Sequence, residues 1–145
     1  MSRWLASWNC PIPIESVTRR IEMLQDRAML QEALLYVIVD RSTEQTMGSI
    51  CIQRGDLPGR GELSYWLGER YQGRGYAREA VSTMLPLATK HLNLPLIEAG
   101  AQIENANSFA VMVRCGMVPG GERLVYAPTR ARNELCRFYE WVPST

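Results

Sequence analysis

Apolar residues recur every three or four positions at Ala77, Ala80, Val81, Met84, Leu85, Ala88 and Leu92. That spacing gathers them into one stripe of a helix running from about Gly75 to His91. Immediately upstream the period drops to two. Glu62-Leu63-Ser64-Tyr65-Trp66-Leu67 alternates large apolar with mostly smaller or polar residues, which predicts a partly buried strand ending near Gly68. The rest of the chain reads as a single domain, residues 1–145, with no linker, repeat or low-complexity tract. An irregular segment from Trp4 to Ile14, broken by Pro11 and Pro13, precedes a helix from about Ser16 to Leu30 that Glu15 or Ser16 would cap. Leu34 to Val39 and Thr46 to Arg54 read as a hairpin around Asp40 to Gln45, and Gly55 to Gly61 turns the chain into the Glu62 strand. Beyond the long helix, where Pro86 should introduce a kink, come a buried strand from Pro95 to Ile103, a helix at Asn105, and antiparallel strands from Met117 to Tyr126 and Glu134 to Val142.

The join between the alternating strand and the striped helix is the most informative stretch: Glu69-Arg70-Tyr71-Gln72-Gly73-Arg74-Gly75-Tyr76-Ala77. A helix N-terminus offers backbone N–H groups without intrahelical partners and roughly half a positive charge, so it favours a phosphate. Gly73 and Gly75 carry no Cβ to hold a phosphate off the backbone, and Arg70 and Arg74 add charge and donors. A lone G-x-G is also common in strand-to-helix turns for steric reasons alone. Two nucleotide readings fail outright. The dinucleotide fingerprint needs a third glycine where Arg78 stands, and the Walker A loop needs Gly-Lys-Ser/Thr, which is absent.

Arg70-x-x-Gly73-x-Gly75 resembles the Q/R-x-x-G-x-G/A pyrophosphate loop of the GNAT acetyltransferases, which bind acetyl-coenzyme A. The wider string from Tyr65-Trp66-Leu67 through Gln72-Gly73-Arg74-Gly75-Tyr76-Ala77 to Glu79-Ala80 is similar to the RimJ/RimL branch, whose members acetylate protein N-terminal amines or small amines. A second segment, Asn105 to Met117, is similar to the family's N-x-x-S … G-F stretch, with Asn105 eleven residues before Gly116 and Met117 where Phe is usual. The two motifs stand in the family's order, about thirty residues apart. The resemblance covers most of the chain and is specific between Glu62 and Met117.

The resemblance implies an α/β (α+β) fold of the GNAT type, a central mixed, mostly antiparallel twisted sheet flanked by helices. Family members begin with a strand and helix ahead of the segment resembling Trp4 to Ile14. The resemblance thus implies either a lost first strand or a start set at an internal Met, and either case would leave an unpaired edge on the second strand that a partner subunit, as in a homodimer, or an exchanged segment would cover. The implied chemistry is aminolysis of a thioester in a ternary complex: an amine attacks the acetyl carbonyl, an oxyanion forms, and the coenzyme A thiolate leaves. Glu62 matches the position of a family general base that would relieve the ammonium of its proton, although a Glu on an alternating strand also reads as a solvent-facing residue. The oxyanion would meet a backbone N–H near Trp66 or Leu67, where a bulge would free a donor, and the pantetheine arm would pair along the strand with Leu67 as its contact. Arg70, Gln72, Gly73, Arg74, Gly75 and Tyr76 would hold the pyrophosphate. Many family members place a Tyr four residues before the second motif's Gly, but Met112 stands there. The resemblance instead offers Ser108 to hydrogen-bond the sulfur and Asn105 to hold the pantetheine, while both residues also suit a helix start as caps.

Composition narrows the remaining classes. A 145-residue chain that is 46% hydrophobic supports one sizeable core. A net charge of +1 with scattered arginines gives no reason to expect nucleic acid. Cys10, Cys51, Cys115 and Cys136 form no C-x-x-C pair, and with His91 the sole histidine no metal is expected. No apolar run suits a signal peptide or a bilayer span, so a cytoplasmic protein with reduced thiols and no membrane partner is expected. Cys115 reads as packing and His91 as a charge near a helix end. Trp4 and Trp8 line an acceptor pocket or cover the sheet. A competing reading makes the domain a non-catalytic acyl-coenzyme A sensor, motivated by the absent Tyr and the short N-terminus. The loop argues only for binding, and Glu62 is the feature that favours catalysis. The acceptor itself, a peptide N-terminus or a small amine, is not encoded in any segment.

Overall fold

The structure is a computed structural model and describes residues 14–55, 57–127 and 131–143. The expectations for Trp4, Trp8, Cys10 and the prolines beside them lie outside the described residues. Among the described residues six strands and three α-helices follow one another as α1 (Ile14–Met29), β1 (Ala33–Val39), β2 (Thr46–Arg54), β3 (Arg60–Leu67), α2 (Tyr76–Leu92), β4 (Leu96–Gln102), α3 (Ala106–Arg114), β5 (Val118–Ala127) and β6 (Arg132–Trp141). A 3-10 turn, Glu69–Tyr71, separates β3 from α2. Glu15 and Ser16 fall inside α1 rather than at its cap. Pro86 lies within α2, which runs unbroken from Tyr76 to Leu92.

The strands form one mixed sheet in the order β1-β2-β3-β4-β6-β5. Every neighbouring pair is antiparallel except β3 and β4, which run parallel. Two parallel neighbours need a long crossover, and α2 supplies it. Its stripe, Val81, Met84, Leu85, Ala88 and Leu92, is buried against Ile50, Ile52, Leu63, Ile97 and Ala99 of the sheet, together with Phe109 and Met112 of α3. Each large side chain fully withdrawn from water there contributes about 1.5–3 kcal/mol. By strand alternation Gln53 points to the opposite face, where Arg27 of α1 bonds its Oε1 and donates to the carbonyl of Arg54 at 3.1 Å. The sheet thus has helices α2 and α3 on one side and α1 on the other.

Two features set up the site. β1 is an outer strand, and Tyr36, Val37 and Val39 on it are 48%, 60% and 46% exposed. More consequential is the short ladder between β3 and β4, which pairs only Arg60–Glu62 with Leu96–Glu98, although β3 continues to Leu67 and β4 to Gln102. From Leu63 onward the two strands diverge. The bulge expected near Trp66 or Leu67 is absent from β3. The register of β3 with β2 is unbroken from Gly61 to Leu67, and the edge is freed by loss of the β4 partner on the other side.

Candidate active site

The loop that leads into α2 is built around two backbone positions that only glycine adopts without strain. Gly73 has φ +75° and Gly75 has φ +84°, and a Cβ at either would meet no atom within 4 Å. Both glycines are therefore required by dihedral angle, not by crowding inside the protein, and the space over them is open. Gly75 is the N-cap of α2 and brings no side chain to its first turn. The first intrahelical bond runs from the Glu79 N–H to the Gly75 carbonyl at 3.0 Å. The N–H groups of Tyr76, Ala77 and Arg78 precede that bond and have no carbonyl one turn back. An exposed cradle of donors at the positive end of a 17-residue helix suits a pyrophosphate.

The flanking residues divide into those that shape the cradle and those left to serve it. Gln72 donates from Nε2 to the Leu67 carbonyl at 3.1 Å, which ties the loop back to the end of β3. Arg70 lies over the Tyr71 ring at 4.8 Å and donates to the Tyr71 hydroxyl at 2.6 Å and to Gln45 Oε1 at 3.4 Å. Its guanidinium thus braces the loop against the β1–β2 turn. Arg74 is exposed and makes no hydrogen bond or ion pair among the described residues, so it is a cation open to an anion. Tyr76 lines an apolar groove of about 590 Å³ between β1 and α2, with Tyr36, Ile38, Met84 and Leu87. The structure separates Gln72 and Arg70 as braces from Gly73, Arg74 and Gly75 as the cradle.

The diverging strands open beside the N-terminus of α3. Asn105, largely buried, caps that helix by accepting the Ser108 N–H on Oδ1 at 3.3 Å. Along β3, Leu63, Tyr65 and Leu67 share the face toward α2 and α3, with Leu63 and Leu67 buried, while Glu62, Ser64 and Trp66 share the other. Tyr65 reaches α3 and donates its hydroxyl to Ser108 Oγ at 3.5 Å. Burial pushes the Tyr65 phenol above its ordinary pKa. Met112 is 2% exposed and packs in the core, so it presents nothing to the opening. In the sequence Tyr65 belongs to the alternating strand and to the string that resembles the RimJ/RimL branch, with no site role assigned to it. Its membership of the Leu63 and Leu67 face was the available signal, but only the divergence of β3 from β4 gives that face a chemical meaning.

Glu62 is the last residue of β3 paired with β4, and its side chain is exposed on the face away from α2. Its carboxylate folds toward Gly55, where an added Cβ would lie 3.1 Å from Oε1. Across the ladder its partner is Glu98, which is 4% exposed. Arg60 meets Glu98 Oε2 at 2.9 Å and Arg123 meets Oε1 at 2.6 Å, while Arg60 also lies 3.5 Å from Glu140. Arg123 in turn stacks on the Phe138 ring at 3.6 Å. Cys115, at the end of α3, sits against the Arg78 carbonyl at 3.5 Å, and burial raises its thiol pKa, as expected of a packing residue. Among the described residues no three His, Cys, Asp or Glu side chains converge on a metal-sized site. No helix among them is long and apolar enough to cross a membrane.

Comparisons with known proteins agree with this geometry. The chain is 31% identical over 93 residues to the uncharacterized N-acetyltransferase p20 of Bacillus licheniformis, covering 63% of this chain and 52% of that protein. It thus spans about half the length of that curated relative. Among solved structures it is similar to the ribosomal-protein-S5-alanine acetyltransferase of Vibrio fischeri, with a TM-score of 0.75 and 25% identity over 88% of this chain and 71% of the other. The Salmonella typhimurium acetyl transferase that modifies the N-terminal serine of ribosomal protein L7/L12 shares the fold, with a TM-score of 0.84 at 14% identity over 99% of this chain and 81% of the other. Residues 1–118 match the acetyltransferase (GNAT) domain family. With 118 of its 145 residues so matched, the chain belongs to the GNAT acetyltransferase family.

Proposed function

We propose that this domain is an acetyl-coenzyme A-dependent N-acetyltransferase acting on a primary amine in a ternary complex. One observation carries the reading: the open glycine cradle at the start of α2 lies at the end of the same strand, β3, whose edge is released from β4. The cradle would hold a pyrophosphate, and the released edge of β3 would offer backbone donors and acceptors to the attached arm, as to an added strand. When bound, acetyl-coenzyme A supplies the activated acetyl thioester. Gly73, Arg74 and Gly75 hold its pyrophosphate, with the α2 N–H groups of Tyr76 onward, and Arg70 and Gln72 keep the loop in shape. Trp66 and Leu67 offer the strand backbone, and Asn105 and Ser108 border the arm from α3.

Glu62 acts as the general base, taking the ammonium proton through intervening water so that a neutral amine can attack. Its position at the branch of β3 and β4, on the face opposite α2 and α3, lets an acceptor approach from the side away from those helices. The acceptor class is a peptide N-terminus or a small amine, and relatives that modify ribosomal-protein N-termini make the peptide the first to try. The site of action is the cytoplasm, where acetyl-coenzyme A and such acceptors meet. The exposed edge of β1 is read as the surface by which two copies pair, and light scattering tests it: a dimeric mass supports pairing and a monomeric one removes it.

The deciding experiment compares wild type with Glu62→Gln in acetyl transfer to N-terminal peptides and small amines. The proposal predicts transfer by wild type, a fall of about a hundredfold or more in the variant, and unchanged binding of acetyl-coenzyme A. Binding with no transfer by wild type to any amine would instead support an acyl-coenzyme A sensor.

A further inference from the structure

We infer that Tyr65 is a positioning residue for the leaving thiolate, supplying from β3 the phenol that α3 lacks. This inference rests on the proposed function, because it concerns the sulfur that the cofactor would bring between β3 and α3. Three observations support it. First, α3 contains no tyrosine, and Met112 is buried in the core. Second, the Tyr65 side chain leaves β3 after the strand has parted from β4, on the face toward α3, and its hydroxyl lies 3.5 Å from Ser108 Oγ. Such contacts are often long without substrate and tighten when the site fills. Third, the Asn105 side chain fixes the backbone of Ser108 by accepting its N–H at 3.3 Å, so the Ser108 hydroxyl has a fixed origin and rotates only about its own bonds.

The hydrogen-bond arithmetic then assigns the roles. A serine hydroxyl has one hydrogen to give and two lone pairs to receive. Tyr65 donates to the Ser108 oxygen and occupies a lone pair, which leaves the single Ser108 hydrogen for the sulfur. When the acetyl carbon–sulfur bond breaks, its electron pair stays on sulfur, and Ser108 donates a hydrogen bond to that developing charge. Donation from Tyr65 polarises the Ser108 O–H and strengthens its gift, as in other chained hydrogen bonds. The amine's proton leaves separately through Glu62. Burial keeps Tyr65 protonated at neutral pH and hence available as a donor. Tyr65 therefore acts through Ser108, without itself touching the sulfur.

The test needs no acceptor. Coenzyme A bound to the protein is titrated, and ionisation of its thiol is followed by thiolate ultraviolet absorbance for wild type, Tyr65→Phe, Ser108→Ala and the double variant. Wild type should ionise the bound thiol below the pH at which each variant does. Tyr65→Phe should raise the midpoint by about half a unit to one unit, up to a tenfold change in the ionisation constant. The double variant should match Ser108→Ala, because Tyr65 has no route to sulfur once Ser108 is truncated. An unchanged midpoint in Tyr65→Phe, or additive shifts in the double variant, would overturn the inference while leaving the cofactor reading intact. Failure of wild type to bind coenzyme A would overturn both. Should Tyr65→Phe fold poorly, Tyr65→Met takes its place in the same thiol titration, with a raised midpoint expected and an unchanged one overturning the inference.

Discussion

The two halves of β3 meet opposite fates, although they belong to one strand with one unbroken register to β2. Over Gly61–Glu62 it is paired on both sides, and beside it the buried Glu98 carboxylate is held by Arg60 and Arg123. Over Leu63–Leu67 it loses β4 and runs on to an open glycine loop. The paired half is a satisfied electrostatic knot, in which each charge has a partner and the gain lies in avoiding an unpaired buried carboxylate. The divergent half keeps backbone edge, a glycine cradle and an uncommitted arginine exposed, which are poor stabilisers and good ligands. The contrast teaches that stability and binding are carried by different residues of the same strand, and it separates them experimentally.

The largest effect should come from untying the paired half. Removing both Arg60 and Arg123 as alanines leaves Glu98 buried without a counter-ion, a loss of about 3 kcal/mol by urea unfolding. A loss below about 1 kcal/mol would show that the knot is solvated and the contrast overstated. Next, Gly75→Ala forces a left-handed φ of +84° on a residue with a Cβ. It should cost about 1–2 kcal/mol of stability and weaken acetyl-coenzyme A binding by roughly tenfold or more, read by calorimetry. Stability loss without weakened binding would detach the cradle from the ligand.

Smaller effects sharpen the comparison within the loop. Arg74→Ala should reduce affinity by about tenfold, the weight of one charge-assisted hydrogen bond. Arg70→Ala should reduce it by only about two- to threefold, because Arg70 is already engaged with Tyr71 and Gln45 and its contribution is exposed and screened. Reversal of that order would mean that Arg70 leaves its brace to meet the ligand. Smallest of all, the raised pKa of Cys115 keeps its thiol protonated at neutral pH. Alkylation there should run severalfold slower than in the unfolded chain, with little effect on cofactor affinity.

The amino-acid sequence made much of this legible, because periodicity reports burial directly. The α2 stripe from Val81 to Leu92 and the β3 alternation are both read off residue spacing, and both helix and strand lie within a residue or two of their expected bounds. The cradle was legible as well, since positive-φ turns select glycine and the helix stripe fixes where the N–H groups begin. The divergence of β3 from β4 was not, because it is the absence of a pairing between residues far apart in the chain, and no local pattern records it. The same blindness explains the bulge that was expected and not found. The contact of Tyr65 with Ser108 is equally invisible to local pattern, because it spans 43 positions. Arg70 and Arg74 look equivalent as letters, and only the location of Tyr71 and Gln45 distinguishes brace from ligand.

The central claim, that the open half of β3 and its loop form an acetyl-coenzyme A site, is tested most directly by the melting temperature of the chain with and without the cofactor. A ligand bound only to the folded state at a hundred times its dissociation constant adds about 2.7 kcal/mol, so a clear upward shift is expected, reduced in Arg74→Ala and further reduced in Gly75→Ala. No shift at saturating acetyl-coenzyme A would leave the fold as described and contradict the site.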